Sequence, residues 1–69
     1  MLGDQEAVVS AIRPFLLHDV PYFDLALTFS DGRTASARLG QESVPADLQP
    51  GDRVVATMAA NMVVSVRRT

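Results

Sequence analysis

The sequence predicts an all-β domain: a small five-stranded antiparallel barrel with one short helical turn between strands 3 and 4. Three observations predict it. From Tyr22 to Ser30 apolar and polar residues alternate, with Phe23, Leu25, Leu27 and Phe29 on one face and Asp24, Thr28 and Ser30 on the other, the period of a half-buried strand. Two turn dipeptides, Asp31-Gly32 and Pro50-Gly51, punctuate the chain and break any helical reading. The runs Arg53 to Met58 and Met62 to Val66 are rich in valine, whose branched side chain suits a pleated sheet.

In chain order, the first strand is expected from about Glu6 to Ile12, ended by Pro14, which opens a loop to Pro21. The second strand is the alternating run from Tyr22. Ser30-Asp31-Gly32-Arg33 then supplies a two-residue hairpin turn, because Asp-Gly tolerates positive φ, and a third strand pairs back through Thr34 to Leu39. Gln41 to Leu48 is irregular; Ser43, a capping residue followed closely by Pro45, suits one helical turn and no more. Gln49-Pro50-Gly51-Asp52 has proline and glycine where a type II turn needs them. The fourth and fifth strands follow, separated by Ala59-Ala60-Asn61 and closing in Arg67-Arg68. A three-strand meander, a crossover and a final hairpin make the order of an OB-type barrel, with an SH3-like barrel as the alternative. Closure of either would remove most exposed sheet edges.

The stretch from Ala37 to Ala56, with Ser43-Val44 and Leu48-Gln49-Pro50-Gly51-Asp52-Arg53-Val54 at its centre, resembles the second half of molbindin and transport-associated OB domains. Val8-Val9-Ser10 and Asp31-Gly32-Arg33 match that family's first strand and hairpin. The resemblance implies a TOBE-like barrel that associates with copies of itself or with a transporter ATPase and binds an oxyanion such as molybdate. The family's Ser-Ala-Arg-Asn-type opening reads Leu2-Gly3-Asp4-Gln5 here, and its lysine-bearing segment near the last hairpin reads Ala59-Ala60-Asn61-Met62. That leaves Ser43 and Asn61 as the side-chain donors for such an anion.

Sixty-nine residues make room for one domain, 1–69, whose core at this size supplies only about 3–5 kcal/mol. There is no cysteine and one histidine, His18, so disulfides and thiolate metal sites are excluded and no metal or other cofactor is expected. No apolar run approaches the roughly 18–20 residues of a membrane-spanning helix. The start carries no basic segment followed by a long apolar one, so no export signal is read and the expected location is the cytoplasm.

Catalysis finds no support. The sole imidazole would have to pair with its sequence neighbour Asp19, and adjacent residues do not form a nucleophile's base and orienting group. Among the carboxylates, Asp31 and Asp52 are explained by turns and Asp24 by the polar face of its strand. Four isolated glycines make no phosphate cradle. The chain is read as a non-enzyme.

Single-stranded nucleic acid is the alternative ligand for an OB-type barrel. It is disfavoured by a net charge of −2 and a pI near 5.0, since phosphate binding needs clustered cations. Phe23 and Phe29 fall in the core phase, leaving Phe15 and Tyr22 as stacking platforms; Arg33, Arg38 and Arg53 could share an outer face. The least ordinary segment is the apolar stretch Phe15, Leu16, Leu17 and Val20 between two prolines, where loops favour polar residues. Strict alternation adds Val55 and Val63 as outward valines on neighbouring strands. These six residues form the expected interface of a binding module that meets a second copy or another protein.

Overall fold

The computed structural model describes residues 2–69. Five strands, β1 (Leu2–Leu17), β2 (Val20–Phe29), β3 (Thr34–Gly40), β4 (Arg53–Ala59) and β5 (Met62–Arg68), form one antiparallel sheet in the order β3-β2-β1-β4-β5. A lone 3-10 turn, η1 (Gln41–Ser43), follows β3. The sheet curls until β3 and β5 lie near one another. No ladder joins these two strands among the described residues, so the expected barrel is not closed.

β1 organises the sheet. Its first half, Leu2 to Val8, pairs with β4, and its second half, Ala7 to Leu17, pairs with β2. It therefore begins earlier and ends later than the sequence suggests, and Pro14 lies within it opposite Phe23. Beyond Val9 the β4 side of β1 is unpaired, so a residue with no N–H is tolerated there as on any edge strand. The stretch expected to be a loop is thus the end of a hairpin. Leu17 pairs with Val20 across a two-residue turn in which both His18 (φ 50°) and Asp19 (φ 64°) are left-handed, the backbone of a type I′ turn.

The β2 alternation holds. Leu25, Leu27 and Phe29 are buried and Phe23 packs against them, together with Ala7, Val9, Leu39, Val54, Ala56 and Val66. Two bulges reset the alternation elsewhere. In β1 the register skips Ser10, so Val9 and Ile12 both turn toward the core. In β5 it skips Val64, so Val63 pairs with Met58 and is buried, 8% exposed, while Met62 and Val64 are exposed. Val63 is therefore a core residue and not the outward valine that strict alternation predicts, because one extra residue in a strand moves the next side chain to the other face.

The turns differ in similar ways. Gly32 N–H donates to Phe29 O at 3.0 Å, Phe29 N–H donates to Arg33 O at 2.8 Å, and Gly32 alone has positive φ (89°). This is a three-residue loop with a left-handed glycine, not a two-residue Asp-Gly turn. The helical turn ends at Ser43, is preceded by Gly40, and has no side-chain cap; Ser43 closes it where the sequence suggested an opening cap. The Gln49–Asp52 turn forms as expected, with Asp52 N–H donating to Gln49 O at 3.1 Å and Gly51 at φ 95°.

Candidate interaction surface

The outward-facing residues of β1, β2 and β3 form cross-strand rows. Nearest the hairpin tip, Leu17 lies opposite Val20, and next Phe15 lies opposite Tyr22. Then come Arg13, Asp24 and Arg38 in one line, followed by Ala11, Ala26 and Ser36. Cross-strand neighbours on one face are close enough to interact directly. The Phe15 and Tyr22 rings stack with centroids 5.7 Å apart. Arg38 reaches across β2 to place its guanidinium 4.2 Å from the Phe15 ring centre. It also holds Asp24 through two bonds, Nε to Oδ1 at 2.8 Å and Nη2 to Oδ2 at 3.3 Å. A shallow depression of about 720 Å³ runs beside this row, floored by Ala11, Ala26 and Ser36.

Leu16, Leu17 and Val20 are 68%, 45% and 47% exposed. They sit where the sheet has narrowed to two strands, because β3 pairs with β2 only as far as Tyr22. Phe15 is half-buried under Arg38 and beside Tyr22. It belongs to the outer face of the ribbon. Val55, half-buried, lies outward on β4 between Glu6 and Arg67, at a distance in the sheet from the hairpin. The six residues expected as an interface thus divide three ways: Phe15, Leu16, Leu17 and Val20 on one ribbon, Val55 on the other half of the sheet, and Val63 in the core.

The expected anion donors are not brought together. Ser43 lines a depression with Ser65 to Arg68, whereas Asn61 is in the exposed turn that precedes β5. The cations beside Ser43 are already engaged. Arg68 donates to Asp52 Oδ2 at 3.1 Å and to Ala46 O at 2.7 Å, and Arg67 donates to Asp4 Oδ2 at 2.8 Å. The three arginines considered for one outer face also separate: Arg33 is tied to Asp31 in the β2–β3 turn, Arg38 lies on β3 and Arg53 on β4. Sequence reasoning missed Arg13, which only the β1–β2 register aligns with Asp24 and Arg38.

Four carboxylates, Asp4, Asp24, Asp31 and Asp52, have structural partners. Asp24 is held below the ordinary carboxylate range by the Arg38 hydrogen bond, and Asp4 by Arg67 and then Thr57. Asp31 is lowered by the Arg33 N–H, and Asp52 by the Gln49 N–H and then Arg68. All four shifts lower the folded-state value, so their stabilisation is complete above the unfolded value and lost as pH falls through the folded one. The melting temperature is therefore expected to stay flat from neutrality to about pH 5 and to fall below about pH 4. High salt should flatten that fall because these pairs are exposed. A melt that drops as steeply in high salt as in low would contradict this.

His18 is exposed at the hairpin turn. Among the described residues no cluster of three His, Cys, Asp or Glu side chains could hold a metal ion, and no helix is long and apolar enough to cross a membrane. The chain matches no protein-family model, and the searches of curated proteins and of solved structures returned no significant match.

Proposed function

We propose that this chain is a non-catalytic binding module of OB-type topology that associates with a second copy of itself through its β1–β2 ribbon. The topological part rests on β1, which serves both β2 and β4 while β3 and β5 end the sheet side by side; an OB barrel has this order, with β3 and β5 meeting. The likeness to transport-associated OB domains agrees with that order and with self-association.

One observation carries the functional part: Leu17 and Val20, directly opposite one another, are exposed on the outer face of a projecting two-stranded ribbon, and Leu16 is exposed on its other face. An isolated two-stranded ribbon is marginal in water, and contiguous exposed apolar surface marks interaction sites. A partner laid on the outer face would both cover Leu17 and Val20 and order the strands that carry them. Sedimentation equilibrium is expected to show a concentration-dependent dimer at high micromolar protein. A clean monomer there would remove the reading.

The stacked Phe15 and Tyr22 beside Arg13 and Arg38 favour a second reading, a single-stranded nucleic-acid surface, since bases stack on aromatic rings flanked by cations. An oligonucleotide added at low salt in the same experiment separates the two. Electrostatic binding is strongest at low salt, so co-sedimentation there would support the nucleic-acid reading, and its absence would leave self-association.

A further inference from the structure

The outer face of the ribbon is self-complementary, and this fixes how two copies would meet. Consider a two-fold axis lying in the interface, parallel to the strands and midway between β1 and β2. It keeps every cross-strand row opposite itself and exchanges β1 positions with β2 positions. The rows on this face are Leu17–Val20, Phe15–Tyr22, Arg13–Asp24 and Ala11–Ala26. Under the exchange, apolar meets apolar, aromatic meets aromatic and small meets small. The charged row carries Arg13 on β1 and Asp24 on β2, so the Arg13–Asp24 pairing occurs twice, once on each side of the axis, and each Asp24 is flanked from β3 by the Arg38 that already holds it.

We propose that the occupant of this face is a second copy of the chain, docked about that axis with Arg13 against the partner's Asp24 and Asp24 against the partner's Arg13. The inference rests on the self-association reading above and adds the face, the symmetry and the charge pairing. An isologous contact of this kind requires one patch that complements itself, and aligned sheets pack face to face with their strands within about 30°. Arg13 is the cation available for the contact: no ion pair holds it among the described residues, whereas Arg38 is committed to Asp24 within the chain. The Arg38 guanidinium covers one side of Phe15, and the ring stacks on Tyr22 of its own chain, so the aromatic row enters the contact as a preformed unit. The rows extend about 20 Å along the strands and about 10 Å across β1 and β2, well short of the roughly 800 Å² per partner of a standard stable interface. The dimer is accordingly weak and concentration-dependent.

Two single variants test the pairing. Arg13→Asp sets an aspartate against the partner's Asp24, and Asp24→Arg sets an arginine against the partner's Arg13. Like charges placed across an interface weaken association, so each variant alone is expected to self-associate at least about tenfold less tightly than the wild type. In an equimolar mixture every facing pair has opposite signs again, and a heterodimer of near wild-type strength is expected. Both substitutions lie on an exposed face, and thermal melts establish that each variant is folded. Leu17→Asp, which leaves the charged row intact, should also give a monomer, and neither charge variant should rescue it. If the wild type dimerises but the variants dimerise equally well, or their mixture stays monomeric, this docking mode is wrong while self-association stands. If the wild type is itself monomeric, both fail together.

Discussion

Leu27→Ala is expected to leave the domain largely unfolded at physiological temperature. Leu27 has no exposed surface, sits in the middle of β2, and lies opposite Val9 on one side and Ala35 on the other. Removing its three outer carbons leaves a cavity that neighbours on both flanking strands cannot close, a change that costs about 2–5 kcal/mol. The core of a domain this small supplies only about 3–5 kcal/mol in total, so one truncation consumes most of it. Thr28→Ala, one residue away on the outer face, loses a hydroxyl contact with Ser10 and should shift stability by less than about 1 kcal/mol. Urea titration of the two variants checks the contrast. A cooperative Leu27→Ala transition with a midpoint close to wild type would mean that the sheet has another centre of packing.

That centre was readable from the sequence because β2 has no bulge. From Phe23 to Phe29 each second residue faces the core, so the period-two pattern is the burial pattern. The same rule fails in β5, where the residue skipped at Val64 turns Val63 inward and leaves Met62 and Val64 outside. It fails in β1, where the Ser10 bulge sends both Val9 and Ile12 inward. A bulge costs one residue of register and has no composition of its own here, since neither site contains glycine. Pro14 misleads for a related reason: a proline ends a central strand but not one whose second neighbour has already departed.

The candidate surface was legible as chemistry and not as geometry. Phe15, Leu16, Leu17 and Val20 stand out as apolar residues in an apparent loop, and they do share one ribbon. The alignment of Phe15, Leu17 and Val20 with Tyr22, Asp24 and Arg38 on one face depends on a turn at His18-Asp19, where two residues that are neither glycine nor asparagine adopt positive φ. Without a glycine to announce it, that turn reads as a loop, and Arg13 then has no row to belong to. Val55 shows the converse: it does face outward, but across the sheet from the ribbon with which it was grouped.

Gly51→Val is expected to be the most damaging of the turn substitutions, costing about 1–3 kcal/mol. Gly51 has φ 95°, and a Cβ placed there would meet nothing within 4 Å, so the penalty comes from the backbone rather than from crowding. The turn cannot escape that penalty by relaxing, because it is bonded to the centre of the sheet. Gly51 N–H donates to Val9 O at 2.8 Å, and Val9 N–H donates to Asp52 O at 2.9 Å. These two bonds continue the β1–β4 ladder one step past Val8, beside the β1 bulge, and a turn of another shape would release them. Gly32 is the comparison: its φ of 89° is nearly the same and its surroundings are equally open. Its turn, however, is bonded only within the β2–β3 hairpin, so Gly32→Val can shift the loop without disturbing β1. Chemical unfolding of the two variants should therefore rank Gly51→Val well below Gly32→Val in stability. Equal losses would mean that backbone strain alone sets the cost and that anchoring to Val9 contributes nothing.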